Sequence, residues 1–185
     1  MALTKTPVCY FEKKAEDFKL KSIENKIISL NDIKGEKATL IMFICNHCPY
    51  VKAIIRDLAK DCNELKKDGI NTVAIMSNDT KNYPEDSFDN MIKFAKTNNF
   101  GEINYLIDET QEIARKYGAV CTPDFFGYNK ELKLQYRGRF RELKDLKPVL
   151  AGDSDLKIAM KMISETQAGP KEQIPSMGCN IKWFN

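Results

Sequence analysis

The chain has 185 residues, 43% of them hydrophobic and 10% aromatic, which is enough for one domain with a buried core and too apolar for a disordered segment. Lys and Arg number 29 against 26 Asp and Glu, a net charge of +3 with both signs interspersed. This excludes the basic footprint of a nucleic-acid binder. The start "MALTKTPVCYFEKK" carries no apolar run of signal-peptide length, and the longest strand-like run, residues 40–45, is far too short for a bilayer. The expectation is a cytoplasmic protein with neither membrane nor nucleic acid among its partners.

Residues 1–185 read as one domain, with residues 1–15 as an N-terminal extension. "DFKLKSI" and "KIISL" flank "EN" as a hairpin. "ATLIMFI" at 38–44 is a continuous apolar run, the mark of a strand covered on both faces. Cys48, Val51, Ile55, Leu58, Cys62 and Leu65 then recur at helical spacing until Gly69 stops them. Residues 70–77 predict a second buried strand, 87–98 a helix and 103–108 a third strand. "ETQEIARKYG" predicts a short helix closed by Gly118. After "AVCTPD", "FFGYN" and "LKLQYRGRF" predict an antiparallel hairpin, and Leu156, Ala159, Met160 and Ile163 a last helix. The tail, 169–185, carries prolines and glycines and is expected to be irregular, with Trp183 and Phe184 docking it on the body.

"FICNHCPY" sits where the first buried strand hands over to the first long helix, and its His47 is the single histidine of the chain. A helix N-terminus offers unpaired N–H groups and partial positive charge, and a cysteine there has its thiolate stabilised. Cys45 is therefore expected to be an exposed thiol with a lowered pKa and Cys48, at the start of the apolar stripe, the covered one. That asymmetry suits disulfide exchange, with Cys45 attacking and Cys48 resolving. His47 would stabilise charge or move a proton. Pro49 fits the first helical turn, and the Thr-Pro of "CTPD" is a candidate cis peptide.

Together, the strand running into Cys45-Asn46-His47-Cys48-Pro49, "AIMSND", "DETQEIARKYGAVCTPDFF" and "YRGRF" resemble the thioredoxin-like superfamily. Within it they resemble the redoxin branch of AhpC/TSA-like and TlpA-like proteins. The likeness is closer still to thioredoxin-family proteins with F-x-C-N-H-C-P, C-T-P-D-F-F and G-C-x-I-K-W motifs, and it runs from residue 15 onward. The resemblance implies an α/β fold: a three-layer α/β/α sandwich with a mixed central sheet, an N-terminal β-hairpin extension and a C-terminal tail. It places Thr122 and Pro123 beside Cys45 as a substrate platform. It implies a thiol–disulfide oxidoreductase without cofactor, acting on a protein or small-molecule disulfide and fed by an upstream thiol reductant.

Three departures from the pattern matter. Ile44 stands where thioredoxins have Trp, and the strand before Cys45 lacks their buried Asp, offering only Thr39 as a polar side chain. The proton acceptor for Cys48 is thus not assigned. Ala38 and Met42 occupy the places of the Pro and Thr/Ser that shape a peroxidatic pocket. A thiol peroxidase is therefore the second reading. A metal module at Cys45 and Cys48 is the third, weakened because a zinc site normally needs four ligands.

Other residues have plainer readings. Cys62 falls on the core stripe, and Cys9 is incidental. Cys121 and Cys179 are possible auxiliary redox residues that would form a second dithiol. Arg137 and Arg139 read as solvated charge, with a carboxylate-binding or substrate role as the alternative, and Asp124 as a residue that orients the Thr-Pro loop or influences thiol protonation.

Overall fold

The computed structural model describes residues 3–7 and 10–184; Cys9 lies outside them. Strands β1 (Leu3–Lys5), β2 (Lys19–Ser22) and β3 (Ile27–Ser29) lead through the single-turn helix α1 (Leu30–Ile33) into β4 (Ala38–Phe43) and helix α2 (Pro49–Lys67). Then come β5 (Ile70–Met76), a 3₁₀ turn (Pro84–Asp86), α3 (Phe88–Thr97), β6 (Asn104–Ile107) and α4 (Glu112–Tyr117). The chain finishes with β7 (Cys121–Thr122), β8 (Asp124–Asn129), β9 (Leu134–Tyr136), β10 (Leu143–Lys144), β11 (Lys147–Pro148), α5 (Asp155–Thr166) and β12 (Met177–Asn180).

The main sheet has seven strands in the order β3-β2-β6-β5-β4-β8-β9. It is mixed: β4 runs parallel to β5 and antiparallel to β8, and β5 runs parallel to β6. Alternate residues of β4 point to opposite faces. Leu40 and Met42 join the core built with α2, α3 and α5, while Ile41 and Phe43 join the core built with α1 and α4. Every residue of β4 is buried, which is why its sequence shows no polar alternation. The result is the expected three-layer α/β/α arrangement.

Helix α2 carries the stripe predicted for it, with Val51, Ile55, Leu58, Cys62 and Leu65 all buried. Each large apolar side chain so covered contributes about 1.5–3 kcal/mol relative to exposure. Buried Asp61 on α2 accepts the Ser154 hydroxyl at 2.6 Å, and Ser154 caps α5 by accepting the Lys157 N–H. One polar chain thereby ties the two helices behind the site to each other.

The tail departs from the irregular course expected of it. Residues 177–180 form β12, the middle strand of a three-stranded sheet ordered β1-β12-β7, with Cys179 opposite Thr122 and Leu3. Strands this short carry no periodic signal. Beyond β12, Trp183 packs partly buried against the α4 side of the core, and the Arg115 guanidinium lies 4.2 Å from its ring centroid; Phe184 stays exposed.

Candidate functional site

Strand β4 ends at Phe43, and two buried residues later the chain presents Cys45. Cys48 is the N-cap of α2, with Pro49 in the first helical position. The Thr122–Pro123 peptide is cis and lies against both sulfurs. Cys45 Sγ is 3.3 Å from Thr122 Oγ1, and Cys48 Sγ is 3.1 Å from the Thr122 carbonyl oxygen. Cys48 Sγ is also 3.1 Å from Cys179 Sγ on β12.

The expectation of an exposed Cys45 beside a covered Cys48 does not hold. Both are buried, at 1% and 0% exposure, because the β7–β12 pairing roofs the helix start. The pKa expectation for Cys45 is reversed as well. Cys45 is raised well above the ordinary thiol range, because it holds its proton against the Cys48 sulfur, because it is buried, and because the Asp86 carboxylate is near. Cys48 is lowered to about 5 by the Cys45 thiol first, and then by the Cys179 thiol and the Val51 N–H, against its burial. The Thr122 carbonyl opposes this, since it accepts only from a protonated sulfur. The helix N–H and two flanking thiols outweigh one carbonyl. The direction is toward a thiolate at the helix cap, with Cys45 the sulfur that keeps its proton.

A buried carboxylate from outside β4 stands beside Cys45 and His47. Asp86, fully buried at the end of the 3₁₀ turn, accepts the backbone N–H of Asn46 at 2.8 Å and of His47 at 3.3 Å. Its other oxygen accepts His47 Nδ1 at 2.7 Å and Asn78 Nδ2 at 2.8 Å. His47 is raised above its ordinary pKa by the hydrogen bond to Asp86, and its ring stacks on Tyr83 with 5.7 Å between centroids. Asn46 is fixed on both sides: its Oδ1 accepts the buried Tyr105 hydroxyl at 2.9 Å, and its Nδ2 donates to the Glu85 carbonyl at 3.1 Å. Sequence reasoning missed Asp86, Asn78 and Tyr105. The available signal was the "YPED" turn, but nothing local ties it to a motif 39 residues earlier.

Cys45, His47 and Asp86 bring three potential metal donors within 4.8 Å of one another. The imidazole and the carboxylate are already bonded to each other, and that carboxylate holds the loop's N–H groups. The donor set is therefore self-satisfied and one short of a structural zinc site.

The remaining candidates separate clearly. Cys121 is buried, its thiol 3.5 Å from the Pro123 carbonyl, and burial pushes its pKa up. It stands opposite Asn180, not Cys179, so the expected Cys121–Cys179 dithiol gives way to a Cys48–Cys179 contact. Cys62 is in the core, raised to about 12 by burial. Arg137 is not solvated: it is buried, pairs with Asp124 at 2.9 Å, donates to the Gly118 carbonyl and stacks over Phe126. Arg139 pairs with Asp155 at the surface. Asp124 also accepts the Val120 N–H at 3.3 Å, so the Asp124–Arg137 pair braces both sides of the Thr-Pro turn.

The model of the AhpC/TSA family matches residues 11–140. The fold superposes on an uncharacterized conserved protein from Geobacillus kaustophilus with a TM-score of 0.94 and 38% identity, covering 100% of this chain and 97% of that one. It superposes on a hypothetical protein from Sinorhizobium meliloti 1021 with a TM-score of 0.90 and 35% identity, covering 98% of each chain. A thioredoxin-family thiol:disulfide interchange protein from Chlorobium tepidum TLS shares the fold at a TM-score of 0.62 and 19% identity, over 85% of this chain and 99% of that one. No curated protein matches the sequence. Among the described residues, no helix is long and apolar enough to cross a membrane.

Proposed function

Because this chain belongs to the AhpC/TSA family, we propose that it is a thiol–disulfide oxidoreductase whose Cys45–Cys48 pair cycles between dithiol and disulfide. One observation carries the reading: a C-x-x-C at a strand–helix junction, with one sulfur favoured as a helix-cap thiolate and both lying against Thr122 of the cis Thr-Pro. Family membership alone does not supply a peroxidatic site, since Ala38 and Met42 stand where that chemistry wants Pro and a hydroxyl.

The pKa asymmetry orders the exchange. A disulfide opens fastest when the sulfur that departs makes the more stable thiolate. An incoming thiolate therefore bonds to Cys45 Sγ while the Cys45–Cys48 bond breaks and Cys48 leaves with the electron pair. In reverse, Cys45 attacks a substrate disulfide and passes its proton to the Cys48 sulfur. The substrate's first thiolate departs, leaving a mixed disulfide on Cys45. Cys48 gives that proton to the departed substrate thiolate, then attacks Cys45 Sγ and releases the second substrate thiolate. Two electrons pass from the protein dithiol to the substrate disulfide. Thr122 and Pro123 form the platform, and the His47–Asp86 pair holds the loop and a proton at its rim. The partners are a disulfide-bearing protein or small molecule and an upstream thiol reductant.

The test is trapping. Cys48→Ser should hold substrates as stable mixed disulfides on Cys45, and Cys45→Ser should abolish insulin reduction. Full insulin reduction by Cys45→Ser would overturn the mechanism.

A further inference from the structure

Cys48 has two sulfur neighbours, and the second belongs to no C-x-x-C motif. Cys179 Sγ lies 3.1 Å from Cys48 Sγ, from a position 131 residues later in the chain. Several features seat that sulfur there. Strand β12 pairs with β7 so that Cys179 stands opposite Thr122. Gly178 permits the approach, since a Cβ there would lie 2.0 Å from the Thr122 carbonyl oxygen. Before it, the Ser176 hydroxyl donates to the Pro123 carbonyl at 2.7 Å. After it, the Ile181 N–H reaches the Val120 carbonyl, and Lys182 is held through its N–H by Asn78 and through its carbonyl by Gln111 and the Asp79 N–H. Cys121 is not an equivalent neighbour, because adjacent residues of a strand face opposite ways and Cys121 is turned to the Pro123 carbonyl.

We propose that Cys179 is a third redox-active thiol, and that the protein moves its disulfide from Cys45–Cys48 to Cys48–Cys179. This rests on the dithiol reading above. The step is an internal exchange. Cys179, as thiolate, attacks Cys48 Sγ; the Cys48–Cys179 bond forms as the Cys45–Cys48 bond breaks. Cys48 is the sulfur attacked because it is the one Cys179 touches, and Cys45, otherwise the poorer leaving group, departs with the electron pair as it takes up the proton that Cys179 lost. No outside oxidant or reductant is consumed. The outcome is a reduced Cys45 thiol beside Thr122, with the oxidising equivalent held between Cys48 and β12. Cys48 is the shared sulfur of both bonds, in keeping with its contacts on both sides.

The experiment follows the disulfide in the intact wild-type chain. Reduced protein is mixed with oxidised dithiothreitol, quenched in acid at intervals, denatured, alkylated and mapped by non-reducing mass spectrometry. The expected result is an early Cys45–Cys48 peptide with Cys179 alkylated, replaced by a Cys48–Cys179 peptide with Cys45 as the major alkylated thiol. Cys45→Ser should still form Cys48–Cys179, and Cys179→Ala should stop at Cys45–Cys48. A wild-type chain that keeps Cys45–Cys48 throughout, with Cys179 always alkylated, overturns the relay and leaves the dithiol reading standing. A wild-type chain with no disulfide at Cys45 at any time and no insulin reduction overturns both.

Discussion

His47 Nδ1 stands 2.7 Å from Oδ2 of Asp86, a buried carboxylate that also accepts the loop N–H groups of Asn46 and His47. Its removal strands several buried donors at once. Asp86→Ala should lower unfolding stability by at least about 1–3 kcal/mol, the cost of leaving a buried polar group unpaired. Urea denaturation measures this. An unchanged midpoint would show that the carboxylate does not hold the loop.

The same pair makes stability depend on pH, with a definite sign. His47 is raised above its ordinary value of 6.5 by the hydrogen bond to Asp86, so the fold prefers the imidazolium. Its stabilising contribution is complete below about 6.5 and is lost as pH rises through the raised value. Urea midpoints of the wild type should fall across that window by more than those of Asp86→Asn. Parallel profiles would contradict the assignment.

One proton of the sulfur pair should leave near the acid end of the range. Thiolate absorbance should show a step at about 5, against about 8.5 for a free cysteine. Cys48→Ser should remove the step. Cys45→Ser should move it upward, because Cys48 loses the first of its donors while keeping the Val51 N–H. A lowest step at the free-cysteine value in the wild type would refute thiolate stabilisation at the cap.

Gly178→Ala tests the strand that roofs the site. Its Cβ would lie 2.0 Å from the Thr122 carbonyl oxygen, a backbone atom that cannot rotate aside. Overpacking of this kind costs about 1–3 kcal/mol, and lifting β12 opens both sulfurs. Alkylation of Cys45 and Cys48 should quicken in the native protein. Wild-type labelling rates would mean that β12 does not cover them.

Asp124→Ala should cost more, about 3–5 kcal/mol, because it leaves the buried Arg137 guanidinium unpaired. Replacing both with apolar residues, Asp124→Leu with Arg137→Met, should recover much of that loss. Equal destabilisation by the single and double variants would show that the pair does not behave as a unit.

The long elements were legible because their hydrophobic patterns are local. The unbroken run of β4, the stripe from Val51 to Leu65 and the Pro49 start each follow from period and cap rules. The C-x-x-C and the Thr-Pro were legible as motifs. What the sequence concealed was pairing at a distance. Asp86 sits in a turn with no periodic signal, the Asp124–Arg137 pair looks like two surface charges in a charged chain, and β12 is a four-residue strand. The expected exposure of Cys45 failed for the same reason: a helix start predicts access only when nothing is laid across it.

Strand β12 also sets an order of events during synthesis. The Cys48–Cys179 contact spans 131 residues, and chains are made and begin to fold from the N-terminus. Cys45 and Cys48 therefore leave the ribosome long before their cover exists, as an open dithiol that any passing disulfide or oxidant can reach. Arrival of the last strand turns that reactive pair into a guarded one. A nascent or tail-truncated chain would thus carry the same two cysteines with a different chemistry.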